Sequence, residues 1–170
     1  MTSRFDTTLN QFESYCWIAG GAVLSHLMQT PVKDLDIFFS TEANRQNAAD
    51  RLIRKGGVLI KKLRLGDSIE FEGCVYDLLH KGTTPQETIE CFDYTVCGIA
   101  IDLLGKTYKH PDFDEHFQNK KLVYTGGYDR WFSGALNNVN LNVLKAKRIV
   151  SYMRKGFDID NENIKKIFKK

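Results

Sequence analysis

The chain has 170 residues, 42% of them hydrophobic and 12% aromatic, enough to bury one sizeable core, and no run reaches the roughly eighteen apolar residues of a membrane span. Its first residues, MTSRFDTTLNQFE, lack the basic-then-apolar pattern of a secretory leader, so a soluble cytoplasmic protein with no membrane partner is expected. The net charge of +3 is uneven: from Leu141 onward nine Lys/Arg face three Asp/Glu, a balance of +6 that leaves −3 on residues 1–140, and such a basic end suits either a polyanion or plain solvent.

In chain order, residues 10–19 read as a short amphipathic helix running into a buried segment, broken by Gly20-Gly21. Helical spacing resumes over Ala22–Met28, with Val23, Leu24, Leu27 and Met28 on one side, and Thr30-Pro31 stops it. Leu35–Phe39 is a strand. Ser40 or Thr41 caps a helix over Glu42–Lys55, with Ala48, Ala49, Leu52 and Ile53 inward, and Gly56-Gly57 ends it. Val58–Ile60, Ser68–Phe71 and Cys74–Leu79 are three further strands, the last two joined by the Glu72-Gly73 turn. Thr84-Pro85 opens a short helix ending before Tyr94.

Thr95–Leu104 is a nearly continuous apolar run with the β-branched content of a fifth strand, and Lys109–Ser133 looks irregular. A last helix runs from Leu141 to Arg154, with Val143, Ala146, Val150 and Met153 as its core stripe and Lys145, Lys147, Arg148, Arg154 and Lys155 on the remaining faces. The expected fold is therefore α+β: a mixed, mainly antiparallel sheet of about five strands with helices packed on it. Residues 1–140 form a head and residues 141–170 a basic helical segment packed on it, in one domain. Cys16, Cys74, Cys91 and Cys97 form no CxxC pair and lack a His at zinc spacing, so they read as reduced thiols.

The chemistry concentrates in Trp17–Ser40. Asp34 and Asp36 lie two apart in an extended segment, so both carboxylates point to one side while Leu35, Ile37 and Phe39 point to the core. Two such anions repel unless a cation lies between them, and Mg²⁺ (or Mn²⁺) carrying a phosphate substrate satisfies that need. Gly20-Gly21 before a helix suits phosphate through outward backbone N–H groups. Asp77, in the apolar run Val75-Tyr76-Asp77-Leu78-Leu79, is either a salt-bridged structural acid or the third carboxylate of the same metal site. Three carboxylates around divalent ions fit nucleotidyl transfer from an NTP, with Asp77 as metal ligand and candidate base; a phosphodiesterase would use the same ions with water.

These residues resemble the nucleotidyltransferase superfamily of DNA polymerase β, whose hallmark is a Gly-Gly or Gly-Ser turn, a short helix and an Asp-x-Asp strand. The closer likeness is to the head domain of CCA-adding enzymes and bacterial poly(A) polymerases, from Ile18 to about Phe157. Gly20-Gly21-Ala22-Val23 is similar to GGAV, Asp34-Leu35-Asp36 to the metal-binding DxD, and Phe92-Asp93-Tyr94-Thr95-Val96 to RDFTI. His116–Leu122 is similar to DLKNKIL, and Leu144–Arg148 to LRAAR, all in the family's order. The resemblance implies a Mg²⁺-dependent transfer of a nucleoside monophosphate to an acceptor hydroxyl on RNA, a small molecule or a protein. Asp93 would fix the sugar side or organise a strand junction. Lys145 and Arg148, three apart on a helix, would touch the triphosphate.

The departures are specific. Leu24 and Ser25 replace the Arg and Asp after GGAV, Cys91-Phe92 replaces the arginine pair, Cys97 replaces an Asn, and Val139-Asn140-Leu141-Asn142 stands where the family has EDxxR. The chain is expected to lack the body and tail that hold tRNA, like small stand-alone heads of phages and mobile elements. The second expectation is a non-catalytic nucleotide-, RNA- or partner-binding module that keeps the fold.

Overall fold

A computed structural model describes residues 8–12, 14–127, 129 and 138–168, the side chains of 138–140 excepted. The chain divides into two compact units that interleave in sequence. One comprises Met1–Ile89 and Ile99–Lys109, the other Glu90–Gly98 and His110–Lys170.

The first unit is built on a seven-stranded sheet of order β3-β4-β5-β2-β1-β6-β7. Its strands are β1 (Cys16–Ala19), β2 (Asp34–Phe39), β3 (Val58–Leu63), β4 (Gly66–Phe71), β5 (Cys74–Leu79), β6 (Ile99–Asp102) and β7 (Thr107–Lys109). Helices α1 (Gly21–Leu27), α2 (Glu42–Arg54) and α3 (Pro85–Ile89) belong to the same unit. Every neighbouring pair is antiparallel except β2–β5. The helix α2 and the β3–β4 hairpin carry the chain across between those two, as a parallel pair requires. The sheet is mixed and mainly antiparallel as expected, but it has seven strands and not five.

The two missed strands have different causes. Cys16-Trp17-Ile18-Ala19 is buried throughout, between β2 and β6, and four successive apolar residues carry no period that separates strand from helix. Thr107–Lys109 is a three-residue edge strand made by the hairpin before it. There the buried Asp102 carboxylate accepts the N–H groups of Leu104 and Lys106, each at 2.9 Å, and the hydroxyls of Tyr15 and Tyr108, each at 3.0 Å. The expected long strand over Thr95–Leu104 is split: Thr95–Cys97 is a 3₁₀ turn and only Ile99–Asp102 joins the sheet. Gly98 separates them, and a Cβ there would come within 2.8 Å of the His110 Cβ.

Helix α2 starts on Thr41, whose hydroxyl accepts the Asn44 N–H at 3.1 Å, and stops before Gly56 at φ 100°. Its inward face buries Ala48, Ala49 and Leu52, together with Arg45 at 4% exposure. Arg45 Nη1 lies 2.5 Å from Asp67 Oδ2 on β4, and Lys62 Nζ lies 2.6 Å from the other oxygen. Trp17 and Phe38, partners across β1–β2, stack with centroids 6.5 Å apart. Trp17 Nε1 also donates to Thr88 Oγ1 of α3 at 3.2 Å. Among the described residues no helix is long and apolar enough to cross a membrane. Burial pushes the Cys16 and Cys97 thiols up to about 12, so both stay protonated.

The second unit packs α4 (Phe113–Gln118), α5 (Asn138–Arg154) and α6 (Asn161–Ile167) with the 3₁₀ turn Thr95–Cys97. Helix α4 lies in the stretch that reads as irregular, because six residues give too little periodicity to detect. Asp160 caps α6 by accepting the Asn163 N–H at 2.7 Å. Helix α5 is rotated from expectation. Its inward side holds Lys145, Ile149 and Tyr152, at 6, 9 and 5% exposure, while the apolar stripe Val143, Ala146, Val150 and Met153 faces out. The inward polar groups are all partnered, which is what makes the inversion affordable.

Burial alone would raise the Asp67 carboxyl, but hydrogen bonds from Lys62 and Arg45 outweigh it and hold the group below the usual carboxylate range. A depressed carboxylate contributes stability that is present above its unfolded pKa and is lost as pH falls through the folded one. Urea midpoints should therefore hold down to about pH 5 and drop below about pH 4. Asp67→Ala, which removes the inner of the two carboxylates on Arg45 and leaves Glu42 on its outer side, should cost about 1–3 kcal/mol at neutral pH in the same titration.

Candidate functional site

The register of the parallel pair decides which acids meet. Asp36 lies directly opposite Asp77, and Asp34 opposite Val75. Alternation puts Asp34 and Asp36 on one face, and a directly opposed partner shares that face, so all three carboxylates line one side of β2–β5. Leu35, Ile37, Tyr76 and Leu78 take the other side. The line continues across the sheet: Ser68 is opposite Asp77, and Lys61 is opposite Ser68. Lys61, Ser68, Asp77 and Asp36 thus form one row over four adjacent strands.

Exposure falls along the acids: Asp34 is exposed, while Asp36 and Asp77 are half-buried. Burial pushes the Asp77 carboxyl up, and the negative charge of Asp34 pushes the same way; a hydrogen bond with Ser68 and the charge of Lys61 oppose them. Among the described residues Asp77 Oδ1 is buried without a hydrogen-bond partner. That sets it apart from the other interior aspartates. Asp67 is held by two cations, Asp102 by four donors and Asp93 by a guanidinium. An interior carboxylate oxygen left bare is costly unless another group is meant to meet it.

The donor chemistry fits Mg²⁺: hard carboxylate oxygens on one face, one of them orphaned. The side chains themselves are not drawn together, for among the described residues no group of three or more His, Cys, Asp or Glu is placed to hold an ion. The backbone aligns the acids, and the side chains stand apart.

Gly20 and Gly21 join β1 to α1. Gly20 has φ 73° and ψ −131°, a region closed to other residues, and its N–H donates to Ile99 O at 2.9 Å. Gly21 has no such need: its φ is not positive, and among the described residues nothing lies within 4 Å of where its Cβ would be. Leu24, where the resembling family has arginine, is fully buried.

The remaining expected residues belong to the second unit and have partners there. Asp93, 2% exposed, takes Arg148 Nη2 on Oδ1 at 2.8 Å and Arg148 Nε on Oδ2. Lys145 pairs with Asp129, donates to Ile167 O at 2.9 Å and sits 5.6 Å from the Tyr124 ring centre. Tyr124 closes that group by donating to Asp129 at 2.5 Å. Val139 and Asn140 have no described side chains. Ser68 and Lys61 were not legible in the sequence, because a serine or lysine in a strand carries no sign of what lies opposite.

Asp77→Asn removes a charge that burial and Asp34 both oppose, so neutral-pH stability should hold or rise by about 1 kcal/mol. Mg²⁺ or Mn²⁺ should raise the melting temperature of the natural chain and leave that of Asp77→Asn unchanged. Equal metal shifts in both proteins would place the ion elsewhere.

Over 94% of this chain and 38% of its own, the Thermotoga maritima CCA-adding enzyme complexed with tRNA superposes with a TM-score of 0.65 at 16% identity. A tRNA nucleotidyltransferase complexed with a primer tRNA and an incoming ATP analog gives 0.66 at 16% identity, over 95% of this chain and 48% of that one. The Bacillus stearothermophilus CCA-adding enzyme in complex with CTP gives 0.60 at 17%, over 98% and 43%. The chain thus spans less than half the length of these structures, and the likeness shows a nucleotidyltransferase-like fold. No curated protein sequence matches it. The sequence profile of the Gabija anti-defense 2 family matches residues 1–120, and the chain belongs to that family.

Proposed function

We propose that the acidic face of β2–β5 is the catalytic floor of a Mg²⁺-dependent nucleotidyltransferase that moves a nucleoside monophosphate from an NTP to an acceptor hydroxyl. The observation that carries the reading is the in-register pairing of Asp36 with Asp77, with Asp34 on the same face and the Asp77 Oδ1 left bare. Asp34, Asp36 and Asp77 would hold the metal. When bound, the ion supplies Lewis-acid stabilisation of the triphosphate and lowers the pKa of the attacking hydroxyl.

The chain's own groups do the rest. Ser68, opposite Asp77 on β4, would hydrogen-bond that carboxylate and favour its charged form. Asp77, its proton affinity raised by burial, is suited to take the hydroxyl proton. The open approach at Gly21 lets a phosphate come up to the backbone. Of the two roles expected for Asp93, its pairing with Arg148 supports the organising one. Lys145 and Arg148, expected at the triphosphate, are engaged by Asp129 and Asp93 within the second unit. The similar structures are complexes with tRNA, an ATP analog or CTP, which supports nucleotide and RNA as partners, with an RNA end, a small molecule or a protein as acceptor.

A second reading, a non-catalytic nucleotide- or RNA-binding module, is favoured by the absence of a gathered three-acid cluster among the described residues. Incubation with each α-labelled NTP, Mg²⁺ and a pool of RNA and protein separates the two. The enzyme transfers label with pyrophosphate release and loses both in the Asp34→Asn, Asp36→Asn double variant. Metal-indifferent NTP binding without transfer supports the module.

A further inference from the structure

The outward face of α5 carries an apolar seam. Val143, Val150 and Met153 are 48, 45 and 50% exposed, and Ala146 lies exposed between them. Their spacing of 3, 4 and 3 residues is the alternation of a and d positions by which one helix packs on another. A merely solvated helix face is polar. Here the arrangement is reversed, with Lys145 drawn inward to Asp129 and four apolar side chains turned out.

The charges around the seam select its partner. Lys147 and Arg154, both exposed and one heptad apart, border it on one side, and Asn142 on the other. Asn138–Arg154 contains four Lys/Arg and no Asp or Glu. Docking a second copy of α5 on this seam brings cations against cations in the antiparallel arrangement and against Asn142 in the parallel one, with no carboxylate in either. We propose that the α5 seam is a docking surface for an amphipathic helix of a partner protein whose own apolar stripe is flanked by Asp and Glu. Apolar contact along the seam gives affinity, and the cationic border sets which helix fits.

Two synthetic helical peptides with the same leucine seam, one flanked by Glu and the other by Lys, test this by fluorescence anisotropy against the full chain. The Glu-flanked peptide should bind at least about tenfold more tightly, a difference of about 1.4 kcal/mol, and weaken with added salt. Val150→Ser with Met153→Ser should lose that binding at unchanged circular dichroism and melting temperature. Lys147→Glu with Arg154→Glu should reverse the preference between the peptides. No binding of either peptide, equal binding of both, or indifference to either variant pair overturns the proposal. Self-association of the full chain in sedimentation that Val150→Ser with Met153→Ser abolishes also overturns it, by giving the seam to a second copy.

Discussion

The register of the parallel β2–β5 pair is the constraint on which the first unit's chemistry depends. It sets Asp36 beside Asp77 and, through strand alternation, brings Asp34 to the same side. A slip of one residue would send Asp77 to the α2 side and destroy the row. The apolar set on that other side prevents the slip: Ile37 and Phe39 are fully buried, and Tyr76 and Leu78 lie beside them on β5. Across the pair the negative charge of Asp34 pushes the Asp77 carboxyl up, so bringing the acids onto one face carries an electrostatic cost. The register is held by the apolar face, and the acidic face bears the repulsion.

The treatment of its buried charges divides the molecule into structural and available groups. Arg45 and Asp67 tie α2 to β4 from the side opposite Ser68, Asp102 organises the β6–β7 hairpin, and Asp93 clasps Arg148. Each of these aspartates has its oxygens met by donors. Asp77, with Oδ1 bare and its carboxyl pushed up by burial, is the departure from that rule. Local departures from consistency are where function is most often found, because a fold can carry such a cost only if the rest of the structure over-determines it.

The second unit shows the same economy with the polarity inverted. Its long helix turns Lys145 and Tyr152 inward, where Asp129, the Ile167 carbonyl and Cys97 meet their polar atoms, and so turns its apolar stripe out. A basic helix need not be a solvated one: its cations are interior fasteners here, and its apolar residues form the surface.

The α+β class, the helix over Glu42–Arg54 with its cap and glycine stop, the strand Cys74–Leu79 and the candidate acids Asp34, Asp36 and Asp77 are legible in the residues alone. Each rests on a local cause: a side-chain cap, a period of two, or a charge inside an apolar run. It takes the folded chain to make Cys16–Ala19 a central strand, to bring Ser68 and Lys61 into the acidic row, and to turn α5 inward with its lysine and outward with its valines. Those outcomes depend on partners far away in sequence. Four apolar residues fit either a helix or a strand until β2 and β6 bond to them, and a helix stripe can be called inner or outer only when the groups opposite it, such as Asp129 and Asp93, are in place.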